Sequence, residues 1–398
     1  MDAAAAVTRR AALPGLTGLR FWAALLVVFY HLSREYHPLP LLSPLVWYGR
    51  DGVTFFFVLS GFVLAWSGGD RVPARVLYWR RFARIWPLHL LATGLALAVT
   101  ALLGAALPVT AALWSLPLLQ AWSPAEVYGG NPAAWSLSAE AWFYLLTPAL
   151  LRFLRRRGGR TLALLAAGAC VVGVGCWLGG APVGSPTERE WLLDYLPLAR
   201  TPQFLLGAVT AVAVRRGWRP PVGPGAAVGA ALLWHAALIP WSAAVPDGRW
   251  DSPYSGSQAL VAPLFAVLVA AVAVRDLAPG GGSGLLGGAV ARRLGHWSFA
   301  WYLVHQSCLR LALLLGGPPR GVRAAAVGWL LVTATSLGLA AALYQWVERP
   351  LERWLRALGP QPPQRHGVPG PVVPRARHAG SVVPAEPGQL LWSRSTAE

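Results

Sequence analysis

The feature that most constrains this chain is a recurring apolar window about as long as a bilayer is thick, with short arginine clusters between the windows. A helix needs ~20 mainly apolar residues to cross the hydrocarbon core. Such windows lie near residues 14–33, 46–67, 84–106, 134–152, 161–180, 195–214, 224–244, 258–274, 297–315 and 324–347. The sequence therefore predicts an all-α integral membrane protein of about ten transmembrane helices. A shorter apolar piece around Trp114–Trp122, broken by Pro117, reads as interfacial or re-entrant. With 55% hydrophobic and only 13% charged residues, the chain is too apolar for an ordinary soluble domain.

The charges test this count. Every basic residue is arginine, 34 against 16 acidic residues, for a net +18. A cytoplasmic N-terminus puts Arg9 and Arg10, Arg71 to Arg84, Arg152 to Arg160, Arg215 to Arg219, Arg275 to Arg293 and Arg349 to Arg356 on the inside. Only Arg34, Arg50, Arg189, Arg249, Arg320 and Arg323 then fall outside. This is the positive-inside pattern, and one missed span would scramble it. Because the arginines are split into short clusters between apolar runs, the excess charge speaks for a lipid bilayer and against nucleic acid. The C-terminal sequence also reads as cytoplasmic. Cys170, Cys176 and Cys308 have no ligand spacing, so neither a metal nor a disulfide framework is expected. The first window carries Arg20 and His31 and lacks a cleavage motif, so it reads as a retained span and not a signal peptide. The chain divides into an N-terminal segment 1–13, a multispanning domain 14–356, and a Pro/Gly-rich tail 357–398 that reads as disordered.

Within the apolar windows a few ionisable residues stand out. Arg20 and His31 are eleven residues apart. They share one helical face about 16 Å apart along the axis. Each costs at least ~2.5–3.5 kcal/mol near mid-membrane, which marks both as candidate functional groups. His31 is suited to removing a proton from a hydroxyl. Glu140, in the outer half of the fourth window, reads either as the carboxylate that orients His31 or as the ion-pair partner of Arg200. Arg81 and Arg84, at i and i+3, could clamp a phosphate, or could simply anchor the helix at the membrane surface. Ser60 and Gly61 lie mid-window, where small residues permit close packing. His305 is also intramembrane and could line the His31 cavity, whereas His89 and His235 have no evident partner and read as structural.

Taken in order, these motifs resemble the multispanning membrane acyltransferase-3 family. Gly18-Leu19-Arg20 through His31 is similar to its first-span signature, Phe55–Phe62 to its FFxLSGF element, and Arg81-Phe82-Ala83-Arg84 to its RxxR motif. Trp135–Glu140 with Phe143-Tyr144, then Arg200–Gly207, Ser298–His305 and Glu348-Arg349-Pro350, resemble later landmarks. Gln203 and Thr54 depart from it, standing where the family often has Glu and Asp. The resemblance implies transfer of an acyl group, acetyl or another short acyl, to a hydroxyl of a sugar or glycoside. Envelope glycans and glycosylated small molecules are both compatible acceptors. It implies acyl-CoA as donor substrate with no permanently bound cofactor. Arg20, Arg81 and Arg84 would hold the donor, His31 and Glu140 would be catalytic, and Ser60, Arg200, Tyr302 and His305 would bind substrate. Many relatives carry an extracytoplasmic domain after the spans, so this chain would complete transfer with its membrane domain or with a separate extracytoplasmic partner. The family setting is a multi-pass protein of the cell membrane. The rival reading from the residues alone is a transporter or flippase, which predicts two related halves that the sequence does not display. A binding or sensing protein is a third.

Overall fold

The computed structural model describes residues 12–68, 72–179, 184–245, 253–279 and 284–361. Arg9, Arg10, Arg71, Arg249 and the tail from residue 362 lie outside the described residues. The long helices are α1 (Pro14–His31), α2 (Asp51–Ser67), α3 (Ala74–Leu102), α4 (Trp135–Arg155), α5 (Gly159–Gly179), α6 (Pro197–Arg215), α7 (Pro224–Ala244), α8 (Pro253–Leu277), α9 (Ala289–Gly316) and α10 (Val322–Leu343). No strand occurs among the described residues. Proline at the first turn of α1, α6 and α7 fixes φ where no N–H partner exists, which sets where these helices begin.

Seven helical stretches, built on α1, α2, α3, α5, α7, α8 and α10, are long and apolar enough to cross a membrane. The other three, α4, α6 and α9, bear Glu140, Arg200 and His305. Their polar side chains are sheltered in the bundle: Arg200 is 2% exposed and His305 1%. By contrast α5, α7 and α10 turn Leu164, Leu233 and Leu330 outward, each about 70% exposed. An apolar exterior around a polar interior is the arrangement lipid requires.

α2 and α6 cross most closely. A Cβ on Gly61 would meet the Phe204 carbonyl, and one on Gly207 would meet the Val58 carbonyl, so both positions need glycine for the backbones to touch. Asp276 of α8 accepts from the Gly15 N–H at 2.8 Å and so caps the start of α1. At this end of the bundle Arg155 donates to the Gly68 carbonyl, Arg215 to that of Ala65 (3.2 Å), and Trp79 to that of Leu355 (2.7 Å). Ends of α2, α3, α4 and α6 thus gather with the helix Arg349–Leu358. We call this the basic end and the opposite one the His31 end.

Two departures from the sequence reading, and one segment that it read as interfacial or re-entrant, shape the interior. α3 starts at Ala74, ten residues before its apolar window, so Arg80, Arg81 and Arg84 are half-buried residues within the helix. α1 does not stop at His31 but runs on through a single π turn, Leu32–Tyr36, which brings Glu35 back beside it. The segment between α3 and α4 forms a largely exposed short helix (Val109–Ser115) and then runs into the bundle through two 3₁₀ turns. Its Gln120 and Asn131 are fully buried, and the Asn131 amide donates to the Leu303 carbonyl (2.8 Å). α4 consequently begins beside the middle of α9, and Glu140 sits deeper than a span starting at the surface would place it.

Candidate active site

Three neighbouring cavities run from the His31 end to the basic end. The first, about 730 Å³, is lined by His31, Glu35, Arg50, Asp194, Tyr302 and Gln306 among others. His31 donates from Nδ1 to Glu35 Oε1 at 2.8 Å, and the Gln306 amide donates to the same oxygen at 3.0 Å. The donated proton fixes the tautomer and leaves His31 Nε2 with its lone pair. The His305 ring lies 5.1 Å away, its Nδ1 donating to the Tyr302 carbonyl (2.7 Å). His305 Nε2 and Gln306 Oε1 are buried without a partner. His305 Nε2 and Gln306 Oε1 are thus unsatisfied acceptors near His31, which suits an incoming hydroxyl, while Arg50 Nε in the lining of the same cavity is a buried donor without a partner.

Deeper in the wall of this cavity Asp194 binds two guanidiniums, Arg50 at 2.7 Å and Arg200 at 3.2 Å, and Arg200 also donates to the Asp194 carbonyl. Arg50 stacks on Tyr254, 4.0 Å from the ring centre. Tyr128 donates to Tyr195, which donates to Glu190. Burial pushes the Tyr128 phenol up to about 12, so this chain of hydroxyls stays protonated at physiological pH. Arg200 is thus held by Asp194 and not by Glu140, and its cation is neutralised inside the wall.

The second cavity, about 110 Å³, shares Val53 and Tyr302 with the first. Arg20, Ser60, Arg81, Glu140 and Phe299 line it. Glu140 Oε1 accepts from Tyr144 (2.6 Å) and Ser60 (3.3 Å). The carboxylate on His31 is Glu35, not Glu140. Arg81 faces the cavity across the Tyr144 ring, but Arg84 turns away to pair with Glu348 and with Glu352 (2.9 Å). The expected Arg81/Arg84 clamp is therefore split, because α3 packs its Arg84 face on the C-terminal helix. Tyr302 donates to or accepts from Ser136 at 2.9 Å, closing the wall between the two cavities.

The third cavity, about 520 Å³ at the basic end, shares Arg81 with the second. Arg80, Arg152, Arg155 and Arg356 join Arg81 in its lining, and Arg356 also pairs with Glu352. Among the described residues no group of three His, Cys, Asp or Glu side chains could hold a metal ion.

Arg20, Ser60, Arg81, Glu140 and Tyr302 thus line the second cavity, and His31 and Tyr302 the first, with the His305 ring beside His31. A family model described as an acyltransferase domain matches residues 13–345. The chain is a member of the acyltransferase-3 family. It is an acyl-transferring enzyme built as a multi-pass membrane protein. It is also similar to a protein of Streptomyces mycarofaciens named acyltransferase MdmB, with 35% identity over 357 residues, 82% of this chain and 86% of the relative. No solved structure matches it.

Within this acyltransferase, sequence reasoning missed Glu35, Asp194, Gln306 and the placement of Arg152, Arg155 and Arg356 beside Arg81 in the third cavity. Glu35 was readable at i+4 from His31, but the hydropathy window ended at residue 33. His235, without an evident partner in the sequence, bonds Asp51 at 3.1 Å, and Asp51 also accepts from Ser257 (3.0 Å). His89 is fully buried with its Nε2 on the Ser115 carbonyl (2.9 Å) and serves to pin the dipping segment.

Proposed function

We propose that this acyltransferase moves a short acyl group from acyl-CoA at the cytoplasmic face to a hydroxyl of a sugar at the opposite face of the cell membrane. In this reading all ten long helices cross, the N-terminus is cytoplasmic, and the basic end faces the cytoplasm. The single observation that carries it is the series of three adjoining cavities, which share Arg81 and, nearer His31, Val53 and Tyr302 in their linings. A cradle of five arginines, Arg80, Arg81, Arg152, Arg155 and Arg356, fits the phosphates of CoA. The narrow second cavity fits a thin arm, and the eleven helical steps from Arg20 to His31, about 16 Å, match an extended pantetheine chain.

In the chemistry, His31 Nε2 takes the proton of the acceptor hydroxyl as its oxygen attacks the thioester carbonyl. Glu35 holds the ring through Nδ1 throughout. The C–S bond then breaks, the new ester C–O bond remains, and the imidazolium returns its proton to the departing thiolate. An envelope glycan or a glycosylated small molecule would supply the sugar.

The test is transfer from labelled acetyl-CoA to a panel of glycosides by the purified full chain, with mass spectrometry of cells with and without it. His31→Ala should abolish transfer while abundance and CoA binding persist. Retained turnover would remove His31 as the base, and a wild-type chain that moves glycosides without acylating them would favour the transporter instead.

A further inference from the structure

The second cavity contains two polar groups that the transfer chemistry leaves without a task, and giving them one rests on the acyl-CoA reading. Both hydrogen bonds that Glu140 accepts, from Tyr144 and Ser60, fall on Oε1. Oε2 accepts none from the described residues. Across the same cavity Arg20 Nε is buried with no hydrogen-bond partner, and Arg20 feels Glu140 and Glu348 without pairing to either. A half-buried carboxylate with one oxygen unpartnered and a guanidinium whose Nε is buried without a partner, both lining one small cavity, ask for a ligand that offers the complementary groups.

Depth selects which part of the donor that is. Gln306 lies beside His31, Tyr302 is one turn deeper on α9, and Ser136 bonds Tyr302. Glu140 is one further turn along α4. The carboxylate therefore stands two helical turns, about 11 Å, below the reacting centre. An extended arm with its thioester at His31 brings the pantoate amide and hydroxyl to that depth, well past the cysteamine amide. The geometry points to Glu140 and Arg20 as the recognition residues for the pantoate portion of pantetheine, Glu140 Oε2 accepting from its amide N–H and hydroxyl and Arg20 donating to its carbonyl. Glu140 is then a donor-reading residue and has no direct hold on His31.

The test is displacement of labelled CoA from the detergent-purified full chain by three probes: pantetheine, N-acetylcysteamine, which lacks pantoate, and adenosine 3′,5′-bisphosphate, which lacks the arm. Glu140→Gln, Glu140→Ala and Arg20→Met should each raise the Kd for pantetheine about tenfold, the loss of one charge-assisted hydrogen bond. The Kd values for the other two probes should stay within about twofold, which also reports the folded fraction in the same preparation. If the wild type binds no CoA, the donor reading falls and this assignment with it. If it binds CoA but the variants leave pantetheine unaffected, the assignment alone falls. An equal loss for pantetheine and the nucleotide would mark a structural role and overturn it too.

Discussion

Removing Glu35 tests the site where sequence and structure differ most in their account of His31. Glu35 Oε1 accepts from His31 Nδ1 at 2.8 Å and from the Gln306 amide at 3.0 Å, and its side chain is 33% exposed. A hydrogen bond to a charged group contributes about 1.5–3 kcal/mol, and partial exposure puts this one at the lower end. At 1.36 kcal/mol per decade of rate, Glu35→Ala should lower kcat about tenfold. The KM values for acyl-CoA and for the acceptor should hardly move, because the bond orients the base and touches neither substrate. Glu35→Gln should be milder, since Gln306 still draws the amide oxygen toward Nδ1. The assay is initial-rate acyl transfer in detergent or proteoliposomes, with kcat and KM separated. A Glu35→Ala enzyme whose kcat lies within about twofold of wild type, or whose loss is confined to KM, would refute the orienting role.

The fold and the donor site offer further checks. Asp194→Asn strips two buried guanidiniums of their counter-ion, an uncompensated burial that costs ~3–5 kcal/mol. It should lower the thermal midpoint of the purified protein by several degrees, and adding Arg50→Gln should recover part of the loss; no recovery would argue against a coupled triad. Gly61→Ala drives a methyl into the Phe204 carbonyl and should cut the yield of monodisperse protein, whereas Gly94→Ala, which meets nothing within 4 Å, should not. Replacing Arg80 and Arg152 together by Gln should weaken CoA binding about tenfold and flatten its dependence on salt, read by titration at two ionic strengths.

The helices were largely legible in the sequence because apolar length is a local property. Windows centred on residues 134–152, 195–214 and 297–315 found even α4, α6 and α9, whose polar residues weaken the hydropathy signal. The partners were less legible, for two physical reasons. Hydropathy windows trim the polar helix ends, and Glu35 and Asp194 lie just beyond the trimmed edges, at 33 and 195. Arg84 could not be read from its spacing to Arg81, since its two carboxylates are supplied by the C-terminal helix more than 260 residues away. Glu140 was found as a chemically exceptional residue, but its depth depended on the segment at Asn131 dipping inward, which no periodicity announces.

The Tyr302–Ser136 contact has a consequence for the cell as well as for the enzyme. A protein holding a passage between two aqueous compartments is also a leak, and ions or protons that slip through it drain the membrane potential. The Tyr302 and Ser136 hydroxyls shut the wall between the first two cavities. A donor threaded past Val53 and Tyr302 would occupy the aperture it opens. The substrate would thus be its own stopper, and the membrane would stay insulating through both halves of the catalytic cycle.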